Sequence, residues 1–220
     1  MAERKPAPLF TTGRVNMIKD LEAFASRVVA PAAGFKRAVG LDLGTNCGVA
    51  FVDFRPGAPL RDLTLLLGQW DLSVGPYDTG VLRLVRLKQF LTILSPDLLA
   101  YEEVKFDPPQ DLMQKRGGGV GAVVARVSTA AEFLGSLKAT VAIWCHEHNV
   151  PAHGLAIKQI KRYATGKGNC GKKEMIEAAN EQFGLQFETE NYEKTGVDNI
   201  CDAAFCCKMG LEMYSEGLTT

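Results

Sequence analysis

The order of strand-like and helix-like segments constrains this chain more than any other feature of its sequence. From Arg37 onward, three apolar strand patterns precede a segment with helical spacing, VLRLVRLKQFLTIL, and strands and helices then alternate until the chain ends in helices. The turn GTN between the first two strand patterns predicts a hairpin. Because strands that alternate with helices fold into layers, the sequence predicts an α/β protein with a mixed sheet.

Two parts of the chain lie outside this alternation. Residues 1–36 predict an N-terminal arm, with a short amphipathic helix over residues 17–29 and then the Pro/Ala/Gly linker APAAGF. Residues 106–129 contain two prolines and a run of glycines, which predict a mobile basic loop before a long helix over residues 130–149. We therefore expect one domain over residues 37–220, which carries this loop and is preceded by the arm.

Composition limits the class of protein and the compartment. Hydrophobic residues make up 46% of the 220 residues, which is enough for a packed core. No apolar run is long enough to cross a membrane, and the first ten residues lack the apolar segment of a secretory signal. The six cysteines form no CxxC pair. These features predict a reduced cytoplasmic protein, in the host cytoplasm if it is viral.

The formal net charge of zero conceals two oppositely charged segments. Residues 155–173 contain no acidic side chain and six basic ones, namely Lys158, Lys161, Arg162, Lys167, Lys172 and Lys173. Residues 177–202 contain seven acidic side chains and only Lys194 as a base. The pattern indicates either two solvated helix faces or a phosphate-binding rim beside a cluster of carboxylates. A nuclease that uses metal ions needs both, because carboxylates alone would repel DNA.

Four acidic residues occupy positions that favour metal binding. Asp42 and Glu102 each end an apolar strand pattern, where an unpaired buried charge would be very costly. Asp198 and Asp202 are four apart at the start of an apolar helix, on one helix face and near the positive end of the helix dipole. Each placement alone is also typical of a structural acceptor. Together, such hard oxygen ligands suit Mg²⁺ or Mn²⁺.

Five segments resemble the RuvC family of Holliday-junction resolvases, in the RNase H-like superfamily. They are VGLDLGTNCGVAFVD, PDLLAYEEV, GSLKATVAIWCHEHNVP, IKRYATGKGNCGKKEMI and VDNICDAAFCC, and they follow the family's order from about residue 37 to residue 213. The fourth segment is the one most specific to the family, because it occurs in the family's order and at a suitable distance from the other four. The resemblance implies an RNase H-like, RuvC-type mixed five-stranded sheet flanked by helices. It also implies a homodimer, with the long helix of the third segment at the interface.

The resemblance also implies functional residues. The expected metal ligands are Asp42, Glu102 rather than Glu103, Asp198 and Asp202, which would hold two Mg²⁺ ions per active site, with Mn²⁺ as a substitute. Lys172 is expected to neutralise charge on the reacting phosphate. The resemblance also places Lys161 at the DNA rim. Apart from the resemblance, DNA binding is expected of the other basic residues of the segment 155–173, Lys158, Arg162, Lys167 and Lys173, and of Lys115 and Arg116 in the glycine-rich loop. Lys105 and Phe106, which follow the second motif, complete the expected DNA-binding residues. The implied activity is symmetric two-metal hydrolysis of four-way DNA junctions in recombination and repair, by a crossover junction endodeoxyribonuclease.

The chain departs from the family pattern in several places. The two closing acidic residues of the family are often three apart, which would place a ligand at Asn199 rather than at Asp198. The aromatic residue that follows the family's second motif corresponds here to Lys105, and Phe106 comes one position later. The N-terminal arm and the glycine-rich insert are additional. These departures are compatible with a divergent member of phage type.

Other functions remain open from sequence alone. Asp42, Gly44 and Thr45 after a strand also match the first phosphate loop of actin-like and sugar-kinase-like ATPases, although that fold usually needs two domains. If Asn199 occupies a ligand position, the chain could be a catalytically inactive module that binds junctions. A related nuclease of the superfamily could instead act on forks, flaps or other branched DNA, or on RNA.

Overall fold

The computed structural model describes residues 10–12, 16–18, 20–61, 63–103 and 120–217, with side chains for residues 20–61, 63–103 and 131–217. The strands are β1 (Phe10–Thr12), β2 (Asn16–Ile18), β3 (Lys36–Asp42), β4 (Asn46–Phe54), β5 (Leu63–Asp71), β6 (Leu98–Glu103) and β7 (Ala152–Ala156). The helices are α1 (Leu21–Ala25), α2 (Val81–Leu94), α3 (Val120–His148), α4 (Ile157–Thr165), α5 (Lys172–Phe183), α6 (Tyr192–Thr195) and α7 (Val197–Ser215). No helix in these ranges is long and apolar enough to span a membrane.

Five longer strands form a mixed sheet in the order β5-β4-β3-β6-β7. β4 runs antiparallel to both of its neighbours, whereas β6 and β7 continue the sheet in parallel with β3. The carboxyl ends of β3, β5, β6 and β7 therefore lie at one edge of the sheet. This arrangement confirms the predicted α/β fold with a mixed five-stranded sheet flanked by helices.

The arm differs from its prediction, because no helix spans residues 17–29. Asn16–Ile18 instead forms β2, which pairs in parallel with β5, and β1 pairs with the same strand, so the sheet gains two short strands. The helix is confined to Leu21–Ala25, and it begins there because the Asp20 carboxylate accepts a hydrogen bond from the backbone N–H of Glu22 and caps the first turn. Leu21, Phe24 and Val28 pack in or against the core, which accounts for the apolar spacing. The boundary at residue 36 stays a prediction.

The long helix also starts earlier than predicted. α3 begins at Val120, so residues 120–129 are helical rather than part of a loop. Glycine and β-branched residues in the sequence VGAVVARVST lower its intrinsic helix propensity, but propensity is a weak guide that context overrides. The remainder of the predicted loop, residues 106–119, lies outside the described residues.

Helices cover both faces of the sheet, and successive residues of β3 face opposite sides. Val39 and Leu41 pack in the core beneath α1, α2 and α3, whereas Ala38 packs in a second core beneath α4, α5 and α7. The side chains of Trp70, Trp144, Cys206 and Cys207 are all buried in these cores. All six cysteines are free and buried.

The helix α7 lies directly on the backbone of the central strands. A Cβ atom at Gly40 of β3 would stand 2.1 Å from a backbone oxygen of α7, and one at Gly48 of β4 would stand 2.0 Å from another. Only glycine permits so close an approach at these two positions. The contact fixes the position of Asp198 and Asp202 relative to the sheet, because both residues lie in the first two turns of α7.

Candidate active site

Asp42 and Glu102 end two neighbouring parallel strands at the same edge of the sheet. The register pairs Gly40 of β3 with Ala100 of β6, so two residues further along Asp42 comes beside Glu102. Gly40 and Ala100 both contact α7, and side chains alternate between the faces of a strand. Asp42 and Glu102 therefore lie on the side of the sheet that α7 covers.

The neighbouring acid, Glu103, lies on the opposite side of the sheet. Its carboxylate is 3.4 Å from the Nζ atom of Lys138, which belongs to α3 on the other face. The structure therefore brings Glu102, and not Glu103, to the side of Asp42. This is the choice that the sequence motif implied.

Asp198 and Asp202 approach from the start of α7, one helical turn apart. Gly196 precedes the helix with a φ of +69°, and Asp198 is buried, with 5% of its surface exposed. The side chain of Asn199 turns elsewhere, because its Nδ2 donates a hydrogen bond of 2.9 Å to the backbone oxygen of Asn46. Of the two candidate positions, Asp198 is therefore the one that joins the cluster of carboxylates.

Burial and mutual repulsion perturb the acidity of three of these groups. Burial, and then the neighbouring carboxylates with Glu102 first, raises the pKa of Asp42 well above its usual 3.8. Burial, followed by Glu102 and Asp198, raises the pKa of Asp202 to about 7. Burial also raises the pKa of Glu102, although two nearby ammonium groups oppose the rise. Full ionisation of these buried carboxyl groups is therefore unfavourable unless a further positive charge is present, and a bound cation would supply that charge.

Two lysines from the basic segment lie beside the carboxylates, and each has a different partner. The Nζ atom of Lys172 donates a hydrogen bond to the carboxylate of Asp198, and this bond raises the pKa of Lys172. The same ammonium group lies 5.6 Å from the ring centroid of Tyr192. The Nζ atom of Lys161 instead donates a hydrogen bond of 2.7 Å to the backbone oxygen of Cys170. The charges of both lysines also oppose the rise in the pKa values of Glu102 and Asp202, so both ammonium groups lie near the carboxylates.

The donor set fits a hard divalent cation in type and in charge, because all four candidate ligands are carboxylates. Among the residues that the structure describes, no three His, Cys, Asp or Glu side chains are already arranged to hold an ion. One of the four carboxylates, that of Asp198, is instead paired with the ammonium group of Lys172. The side chains would therefore have to rearrange around an ion.

The remaining basic residues of the segment are exposed on α4, on the turn that follows it and at the start of α5. They are Lys158, Arg162, Lys167 and Lys173. Because α4 follows directly on β7, this surface adjoins the edge of the sheet at which the carboxylates lie. Four further predicted DNA-binding residues, Lys105, Phe106, Lys115 and Arg116, lie outside the described residues.

Two residues near the site were missed by the sequence analysis. Gln69 of β5 is 2% exposed, lies against Gly196 at the start of α7, and its Nε2 has no hydrogen-bond partner among the described residues. A polar residue in the apolar pattern LTLLLGQW was a signal that could have identified it. Tyr192, beside Lys172, had no such signal, because nothing in the local sequence connects the two side chains.

No family model and no curated protein matches the chain. Among solved structures, RuvC of Thermus thermophilus matches with a TM-score of 0.55 and 18% identity, over 84% of this chain and 98% of that chain. A structure of T. thermophilus RuvC in complex with Holliday junction substrate matches with a TM-score of 0.57 and 20% identity, over the same shares. The chain therefore has a divergent RuvC-like fold, as its sequence motifs predicted.

Proposed function

We propose that the protein is a metal-dependent endodeoxyribonuclease, selective for branched DNA, that resolves four-way junctions. The observation that carries the proposal is the convergence of four carboxylates from β3, β6 and α7, with two lysines beside them, at one edge of a RuvC-like sheet. A similar solved structure is that of RuvC in complex with Holliday junction substrate. Fold likeness alone would not assign an activity, so the proposal depends on the residues at this edge.

The four carboxylates, those of Asp42, Glu102, Asp198 and Asp202, are the proposed ligands of two Mg²⁺ ions, for which Mn²⁺ would substitute. Bound divalent ions supply activation of a water nucleophile and stabilisation of the leaving oxygen in phosphodiester hydrolysis. The protein's own contribution is to hold the four groups in a largely buried setting, where repulsion between them favours the bound cation.

The basic residues are proposed to hold the DNA. Lys172 would neutralise charge on the reacting phosphate, and Lys161 would contact the backbone beside it. The exposed residues of α4 and α5, Lys158, Arg162, Lys167 and Lys173, would bind phosphates further away. Because such contacts are made to phosphate, binding should weaken with salt, and preference for a junction should come from DNA shape and deformability.

Resolution of a junction requires two symmetric cuts, so we propose that the protein acts as a homodimer with twofold symmetry. The long helix α3 is the proposed contributor to the interface. It leaves Ile143 56% exposed, which suits a position that a second copy covers.

The test is cleavage of a synthetic mobile four-way junction, compared with a linear duplex and a splayed fork, in Mg²⁺ or Mn²⁺. The variants are Asp42→Asn, which removes a proposed ligand, and Glu103→Gln, which removes a carboxylate on the opposite face of the sheet. We expect paired symmetric nicks from the wild type and from Glu103→Gln, and none from Asp42→Asn. Circular dichroism and binding of the uncut junction show whether each variant is folded.

Three other outcomes would change the proposal. Preferential cleavage of forks would keep the nuclease and replace the substrate. Tight junction binding without cleavage in either metal would indicate an inactive binding module. Absence of binding would refute the proposal altogether and make ATP hydrolysis the next activity to measure.

A further inference from the structure

We propose that Lys172 is an exchangeable counter-ion of the carboxylate cluster, which neutralises Asp198 until a divalent ion takes its place and is then free to bind a phosphate. The inference rests on the proposed function, since it concerns how that site is loaded. It adds a coupling between metal binding and DNA binding that runs through one side chain.

The two lysines at the site differ in what holds them. The ammonium group of Lys161 is bonded to the backbone oxygen of Cys170, a partner that does not bind the proposed ions. The ammonium group of Lys172 is bonded to the carboxylate of Asp198, which is itself a proposed ligand. A cation that binds Asp198 therefore competes with Lys172 and leaves the bond of Lys161 intact.

Exposure makes the exchange possible. The side chain of Asp198 is 6% exposed, so its carboxylate requires a positive partner whenever it is ionised. The side chain of Lys172 is 55% exposed, so its ammonium group can return to water at little cost. The buried partner must therefore stay paired, whereas the exposed one is replaceable.

A second contact of the ammonium group does not depend on Asp198. Lys172 is the first residue of α5, and the exposed Lys173 follows it. The ammonium group already lies over the ring of Tyr192, 5.6 Å from the ring centroid, and this contact can remain after the bond to Asp198 is lost. Held there, the group carries a free positive charge next to the place where the reacting phosphate would bind.

The first test measures the reactivity of the two neighbouring amines in the wild-type protein. Acetylation by acetic anhydride at pH 8 is followed by mass spectrometry, in EDTA and in saturating Mg²⁺, with Lys173 as the internal reference. In EDTA we expect Lys172 to react more slowly than Lys173, because its amine is engaged by the carboxylate of Asp198. Saturating Mg²⁺ should raise the relative rate of Lys172 about tenfold and leave Lys173 unchanged.

The second test compares two variants that lose the same charge. Calorimetry of Mn²⁺ binding without DNA is measured for the wild type, Lys172→Gln and Lys161→Gln. We expect Lys172→Gln to bind Mn²⁺ about tenfold more tightly, and Lys161→Gln to change affinity much less, because only Lys172 contacts a ligand. Equal tightening in both variants would mean that general electrostatics suffices, and the inference would be wrong.

The outcomes separate the inference from the proposed function. If Mn²⁺ and Mg²⁺ bind but the acetylation of Lys172 stays slow, the counter-ion role is refuted and the proposed nuclease is untouched. If neither ion binds in either experiment, both proposals are wrong.

Discussion

Replacement of Asp202 by asparagine should stabilise the metal-free protein at alkaline pH, although it removes a proposed ligand. The pKa of Asp202 is raised from 3.8 to about 7, so the folded protein resists ionisation of this carboxyl group. Below about pH 4 the group is protonated in both the folded and the unfolded protein, so its ionisation does not lower the free energy of unfolding. As the pH rises from 4 to 7, the unfolded chain loses its proton first, and the folded state is progressively destabilised.

The pKa difference sets the size of the effect. A rise from 3.8 to about 7 corresponds to about 4 kcal/mol of destabilisation once the pH is well above 7. The Asp202→Asn amide has no charge, but it must still be buried, at a cost of roughly 1–3 kcal/mol. We therefore expect a net gain of about 2 kcal/mol in the free energy of unfolding at pH 8.

Urea unfolding in EDTA measures this gain for the wild type, Asp202→Asn and the control Glu103→Gln. At pH 8 Asp202→Asn should unfold at a higher urea concentration than the wild type, and at pH 5 this difference in urea midpoint should shrink. Glu103→Gln should have the wild-type midpoint at both pH values. Saturating Mg²⁺ should close or reverse the gap at pH 8, because an ion that binds the folded state stabilises the wild type more. An Asp202→Asn protein less stable than the wild type at pH 8 in EDTA would refute the electrostatic reasoning.

Three further changes test other parts of the structure. Gly48→Ala should destabilise the fold by roughly 1–3 kcal/mol and lower metal affinity, because its Cβ would stand 2.0 Å from the backbone of α7. The control Gly44→Ala, whose Cβ would have no such neighbour nearer than 3.7 Å, should match the wild type in urea unfolding and in metal binding. Arg37→Met should cost roughly 1–3 kcal/mol in urea unfolding, because the buried Arg37 side chain donates hydrogen bonds to two backbone carbonyls, which would lose their partner. Lys161→Gln should shift the pH profile of Mn²⁺ binding to higher pH, because the Lys161 ammonium group lowers the pKa values of Glu102 and Asp202. Lys173→Gln should leave that profile in place. An unshifted profile in Lys161→Gln would contradict the placement of Lys161 beside these carboxyl groups.

The fold was predictable wherever local periodicity decided the structure. The spacing of apolar residues in VLRLVRLKQFLTIL indicated a helix, and Val81–Leu94 is a helix in the structure. The alternation of side chains along a strand likewise explains why Glu102 and Glu103 lie on opposite faces. These features depend on neighbours within a few residues, which a sequence displays directly.

Features that depend on distant residues could not be read in the same way. Asn16–Ile18 becomes a strand because the edge of β5, some fifty residues later in the chain, is open to pair with it. The bond between Lys172 and Asp198 joins residues 26 positions apart, and no local pattern specifies it. The sequence predicted functional roles for both residues, but which partner each has depends on how α5 and α7 pack together.

The two glycines beneath α7 have a consequence for the choice of ion. Gly40 and Gly48 leave no space between α7 and the strands. The backbone that carries Asp198 and Asp202 is therefore poorly able to move toward the sheet. Mg²⁺ binds oxygen at about 2.0–2.1 Å and Ca²⁺ at about 2.3–2.6 Å, with more ligands and looser geometry. If the four carboxylates bind a divalent ion as proposed, we expect the site to discriminate by ion size, because only the ends of β3 and β6 could adjust to a larger ion.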